Sequence, residues 1–253
     1  MMIFTLAARE LRSLFLSPLA WSILAVVQFI IAWLFLSQLN DFIVLQPQLK
    51  MMANAPGATE LVIAPIYGSA AFIMMMVTPL LTMRLISEER QSGSIALLMS
   101  APISMTEIVL GKFLGVFSFS LLMISMVTLM PLSLFTAGPI DAGLLAALFM
   151  ALSLLLAAFT ALGLYMSTLT LQPTVAAIST FGALLLLWIL DWAGDKVGSA
   201  NASNLLSYLS ILRHFEALGK GVFSSADLIY YLLFTSLFLI LSIRRLDADR
   251  LQH

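Results

Sequence analysis

The stretch Arg84-Leu-Ile-Ser-Glu-Glu-Arg-Gln-Ser-Gly93-Ser-Ile-Ala-Leu-Leu-Met-Ser-Ala-Pro102-Ile-Ser-Met-Thr-Glu107-Ile-Val-Leu-Gly-Lys112 is an island of charge between two long apolar runs. Residues 61–83 before it and 113–140 after it carry no charged side chain. Unsatisfied polar groups are excluded from hydrocarbon, so a charged hairpin between two membrane spans has to lie in water or dock on a protein. What it docks on decides the function.

The composition places the whole chain in the membrane. Of 253 residues, 61% are hydrophobic and 10% charged, against roughly 25% charge in a soluble domain; mean hydropathy is +1.05. The net charge of −1 says nothing about partners, and no basic patch points to nucleic acid. With no cysteine, disulfides, thiolate catalysis and cysteine metal sites are excluded. Arg9 and Arg12 precede an apolar run as in a signal peptide, but residues 14–39 are too long for such a core and no small-x-small site follows. They read as a retained first span.

Charge windows separate six spans, each near the ~20 residues a helix needs to cross. They fall at about 19–39, 64–83, 108–134, 143–167, 174–192 and 227–243. Gln172-Pro173 divides the uncharged stretch 142–190, because proline lacks an N–H and disfavours helix in the residue before it. Ser17-Pro18 and the capping-box pattern Ser104-x-x-Glu107 open the first and third spans. Pro79 is expected to kink the second near its end. Of the 12 Lys and Arg, Arg9, Arg12, Arg84, Arg90, Lys112, Arg244, Arg245 and Arg250 fall on one side and Lys50, Lys196, Arg213 and Lys220 on the other. That bias predicts both termini inside. Trp21 and Tyr165 then sit at inner ends, and Trp188, Trp192, Tyr230 and Tyr231 at outer ends. Lys112, one turn inside the third span, is expected to snorkel to the interface.

Two amphipathic segments flank this plan. Residues 2–16 set Thr5, Arg9 and Arg12 against Phe4, Ala8, Leu11 and Phe15, as in an interfacial helix. Residues 204–219 align Leu205, Tyr208, Leu212 and Phe215 opposite Ser207, Ser210 and His214, which reads as an outer interfacial helix.

Chemistry of the chain's own is hard to find. His214 and His253 are the only histidines, without an HExxH or Gly-x-Ser-x-Gly pattern, and His214 reads as an interfacial side chain. Asp191 and Asp195 read as a solvated loop rather than a catalytic dyad. All acids lie outside or at the ends of the spans, which speaks against ion coupling. No GxxxxGK[ST] phosphate loop occurs, so ATP hydrolysis would need another chain. Met74-Met75-Met76 reads as packing, and Gly111-x-x-x-Gly115 as a weak signal of close helix contact.

At the island the sequence resembles permease subunits of type-2 ABC (ABC-2) transporters. That pattern has Glu-Glu-(x)3-Gly-(x)3-Leu-Leu after the second span, then Pro and Glu-Ile-(x)3-Lys opening the third. Glu88, Glu89, Gly93, Leu97, Leu98, Pro102, Glu107, Ile108 and Lys112 match it. The stretch from Arg213 through Gly221 and Asp227 to Tyr230 most resembles the gliding-motility-type branch.

The resemblance implies an all-α fold of six spans, residues 1–253 forming one transmembrane domain with no nucleotide-binding domain. It makes the island, Arg90 included, a coupling helix in a groove of a cytoplasmic ABC ATPase. Independently, a short helix capped at Ser87, ended near Pro102 and joined to two spans can pass a push from one to both. An Arg84–Glu88 pair at i, i+4 belongs equally to a plain charged loop. A solvated loop with helix-stabilising charges is the plainer reading. The implied function is the non-catalytic permease of an ATP-driven exporter in a bacterial inner membrane, with ATP and Mg bound by the partner. Its partners would be that ATPase and a second permease half, with a permease bearing an extracytoplasmic domain as a further candidate. The alternatives are a force-transducing scaffold, separated from a pump by reconstituted transport, and a channel, separated from both by ATPase co-purification.

Overall fold

The computed structural model describes residues 2–49, 51, 57–94, 103–134, 140–194, 210–221 and 224–250, and these contain helices and no strands. Helix α1 (Met2–Leu16) is followed by α2 (Pro18–Leu49), a π-helical turn (Thr59–Ile63) running into α3 (Ala64–Thr82), and the short α4 (Ser87–Gln91). Then come α5 (Met105–Ser133), α6 (Ala142–Leu169), α7 (Pro173–Gly194), α8 (Ile211–Gly219) and α9 (Ser225–Arg250). Six helical segments are long and apolar enough to cross a membrane. The protein is an all-α, multi-pass membrane protein.

Local chemistry sets the boundaries. Ser104 accepts from the Glu107 amide at 3.2 Å while the Glu107 carboxylate accepts from the Ser104 amide at 3.1 Å. This is the reciprocal box expected at the start of α5. Asp141 caps α6 by accepting from the amides of Gly143 and Leu144 at 2.9 and 3.1 Å. Pro173 opens α7 after the turn that ends α6, as expected. Inside the spans, Thr78, Thr82, Ser120 and Thr180 donate their hydroxyls to carbonyls four residues back. This settles buried polar groups without a partner helix.

Two spans outrun their apolar runs. Helix α2 continues to Leu49 through Asn40 and Asp41, and α9 to Arg250 through Arg244, Arg245 and Asp247. Each added residue gains a helical hydrogen bond whether or not it is apolar, so hydropathy marks the membrane-embedded part and not the helix end. Helix α3 ends at Thr82, one turn after Pro79, and a turn over residues 83–86 leads into α4.

Helix α6 is the axle of the bundle, packing on α3, α5, α7, α8 and α9. Ala151, Leu152, Leu155, Leu156, Ala158, Phe159 and Ala161 are buried on all its sides, as in a central helix. At Gly163 a β-carbon would lie 2.2 Å from the Thr82 hydroxyl, so glycine is what lets α3 and α6 cross so closely. Met74 and Met75 are packed in this core. By contrast, Phe29, Trp33, Ile178 and Leu186 point outward from α2 and α7, a surface suited to hydrocarbon.

Candidate functional site

Helix α1 lies against α5 because Gly111 and Gly115 leave a furrow. A β-carbon at Gly111 would sit 2.6 Å from Leu6 Cβ, and one at Gly115 would sit 2.6 Å from Glu10 Cβ. The small-xxx-small spacing is therefore the seat of α1, as in close helix crossings generally. The face that packs carries Ile3, Leu6, Ala7 and Glu10. Phe4 and Ala8, on the apolar face expected with Leu11 and Phe15, are exposed, and so are Arg9 and Arg12. The periodicity showed an amphipathic helix but not which stripe would meet the protein.

The seat brings Glu10 to Lys112. Lys112 is buried, its Nζ 2.7 Å from Glu89 Oε1 and 3.6 Å from Glu10 Oε2. The ammonium meets two carboxylates, and pairing replaces the water it would otherwise seek. Arg90 pairs with Asp249 near the end of α9, and Arg245 lies 3.7 Å from the same carboxylate. Among the described residues Lys112–Glu89, Lys112–Glu10 and Arg90–Asp249 run between elements, Arg245–Asp249 lies within α9, and no ion pair joins Arg84 to Glu88.

The start of α4 also departs from expectation. Ser87 is its first helical residue and no side chain of the preceding residue caps it. The cap comes from α6: Ser167 Oγ accepts from the amides of Ile86 and Ser87 at 3.0 and 3.1 Å and donates to the Met83 carbonyl at 3.1 Å. That uses the whole capacity of one hydroxyl, one donor and two acceptors. The Ser87 hydroxyl turns back to the Met83 carbonyl.

Helix α4 ends at Gln91, and Gly93 follows with a φ of +74°, in the left-handed region that glycine tolerates. A β-carbon there would meet nothing within 4 Å, so backbone conformation and not crowding selects glycine. Glu88 and Glu89 lie in the first turn, favourable to the helix dipole.

The candidate residues thus divide. Glu89, Arg90 and Lys112 are turned inward as anchors, and Glu107 is engaged in its own helix cap. Gln91, Ser92, Gly93 and Ser94 form an exposed tip, and Glu88 is exposed at its flank. Leu97, Leu98 and Pro102 lie outside the described residues. Glu10, Ser167 and Asp249 were missed, for no local signal distinguishes them from solvated side chains. Only the Gly111/Gly115 spacing pointed to the α1 contact.

The opposite end holds a second polar cluster. His214 is buried, its Nδ1 2.5 Å from Asp227 Oδ1, and its ring stacks on Tyr230 at 4.0 Å. Tyr231 is buried and donates its hydroxyl to the Ile211 carbonyl at 2.8 Å. This corrects the interfacial reading of His214. Helix α8 folds onto α6 and α9, so Ser210 and His214 face inward with Phe215; residues 204–209 lie outside the described ones. Among the described residues no group of three His, Asp or Glu could hold a metal ion.

A helical bundle with six helices long enough to cross a membrane, and with three inter-helix ion pairs gathered at one short, partly exposed helix, defines a multi-pass membrane protein with a polar cluster at that end. The chain matches the family described as ABC-2 family transporter protein over residues 4–251, and it belongs to that family. No curated protein matches it. Membership makes it a transmembrane component of an ABC transporter, a kind of membrane subunit that works with an ABC ATPase.

Proposed function

We propose that residues 1–253 form one permease half of an ATP-driven exporter in a bacterial inner membrane, with the α4 end inside. A second half, the same or a related chain, would complete the translocation route. A separate ATPase would bind ATP and Mg and carry out the hydrolysis, this chain doing no covalent chemistry. The Arg213–Tyr230 stretch, which resembles the gliding-motility-type branch, supports assigning the chain to that branch.

The observation that carries the reading is the anchoring of α4. Its inner side is tied to α5 and α1 through Lys112, to α6 through Ser167 and to α9 through Asp249, while Gln91–Ser94 project freely. A push on that tip passes to four helices at once, because each tie is a short polar contact between packed elements. The tip, with Leu97, Leu98 and Pro102 after it, is the surface for the ATPase groove. Glu89, Arg90 and Lys112 transmit, Glu107 holds the start of α5, and Glu88 flanks the contact.

Co-purification with the ATPase, and ATPase turnover in nanodiscs, test this reading. Ser92→Trp adds bulk to the tip and Gly93→Ala strains it, whereas Gly93→Asn keeps a residue tolerant of positive φ. Ser92→Trp and Gly93→Ala should lose association or stimulation, and Gly93→Asn should retain most of both. Wild-type behaviour of Ser92→Trp and Gly93→Ala would remove the docking surface from the proposal.

A further inference from the structure

A cavity of about 350 Å³ opens between α1, the start of α2, the end of α3 and α4. It is far larger than the ~15 Å³ that holds a single water. Its walls are ordered by polarity. Leu19, in the first turn of α2, and Leu80, in the last turn of α3, line it beside Arg9, Arg84 and Glu88, which lie outside α2 and α3. The cavity therefore straddles the change from apolar helix ends to charged side chains, a polarity profile that suits the headgroup region of a bilayer.

Its charges are of two kinds. Lys112, also in the wall, is already engaged by Glu89 and Glu10. Arg9, Arg84 and Glu88 are exposed, and among the described residues no opposite charge lies within ion-pair distance of any of them. Two unengaged guanidiniums and one unengaged carboxylate thus face one amphipathic cavity. Arginine forks match phosphate oxygens in two parallel hydrogen bonds, and a carboxylate matches a primary ammonium.

We infer that this cavity binds the headgroup of an aminophospholipid, its phosphodiester on Arg9 and Arg84 and its ammonium on Glu88, with the acyl chains running along Leu19 and Leu80. An anionic glycerol headgroup would leave Glu88 facing negative charge with no amine to answer it. A choline headgroup has no N–H to donate. The bound lipid would wedge α1 against the first span beside the α4 relay. This does not depend on the ATPase and would stand if the docking surface failed.

The test is native mass spectrometry of the full chain in detergent, with phosphatidylethanolamine, phosphatidylcholine or phosphatidylglycerol at equal mole fraction. One charge-assisted contact more or less is expected to change retention about tenfold, the equivalent of ~1.4 kcal/mol. Wild type should retain phosphatidylethanolamine about tenfold better than the other two. Arg9→Gln/Arg84→Gln should lose that adduct, and Glu88→Gln should bind the ethanolamine and choline lipids alike. Soluble phosphorylethanolamine should compete poorly, lacking acyl chains. Equal retention of the three lipids by wild type, a double variant that keeps the adduct, or a soluble headgroup that competes as well as the lipid would each overturn the assignment. The wild-type arm decides even where a variant fails to fold.

Discussion

Replacing Lys112 by methionine should strand two carboxylates and loosen the anchored end of the bundle. The Lys112 side chain is 9% exposed, and its partners Glu89 and Glu10 are 28% and 24% exposed. Methionine keeps the length of the stem and the packing beside Gly111 and Gly115, so charge is what changes. Removing one partner from a fully buried pair costs about 3–5 kcal/mol. Here each carboxylate keeps about a quarter of its surface in solvent, which reduces the expected loss to about 2 kcal/mol. Adding Glu89→Gln to Lys112→Met removes one stranded charge and should return about 1 kcal/mol, a coupling visible in a double-mutant cycle. Glu89→Gln alone should cost more than Glu10→Gln, since attraction falls with distance and the two oxygens lie 2.7 and 3.6 Å from the ammonium. Unfolding by SDS in mixed micelles, followed through the four tryptophans, measures each term. Lys112→Met within about 0.5 kcal/mol of wild type, or a strictly additive cycle, would refute the anchoring of α4 to α5.

Other perturbations reach the remaining contacts. Gly163→Ala forces a β-carbon into the Thr82 hydroxyl at the α3–α6 crossing and should lose about 1–3 kcal/mol in the same unfolding assay. Ser167→Ala removes the acceptor for the buried Ile86 and Ser87 amides, and should cost about 1–2 kcal/mol and speed amide exchange over 86–91. Asp227→Ala leaves buried His214 without its carboxylate, and should lower stability by about 1–3 kcal/mol and expose α8 to proteolysis. In a chain with no native cysteine, Ser92→Cys and Met51→Cys should be labelled from opposite faces of the membrane. An impermeant reagent added outside intact cells should reach only Met51→Cys, and outside labelling of Ser92→Cys would reverse the proposed orientation.

The spans, the turn at Gln172-Pro173 and the Ser104–Glu107 box were legible because each signal acts over a turn or two. Leu97, Leu98 and Pro102 fall outside the described residues, so the island's second half rests on the resemblance alone. The inner half was misread where a local partner was assumed. Ser87 has the right chemistry and position for an N-cap, yet Ser167, far away in sequence, takes the amides. Arg84 and Glu88 have helical spacing, but the segment 83–86 is a turn and α4 begins only at Ser87.

By itself the sequence determined that the chain is an all-α membrane protein, how many times it can cross, and where the charged hairpin falls. Those properties follow from run length, proline and local caps, which need no knowledge of neighbours. Only the tertiary structure decided which stripe of α1 is inside, that Lys112 stays paired between Glu89 and Glu10, and that His214 is buried against Asp227. Each depends on which helices meet and at what distance. Gly111, Gly115 and Gly163 allow the close crossings, and the position of each charge along its helix then determines its partner.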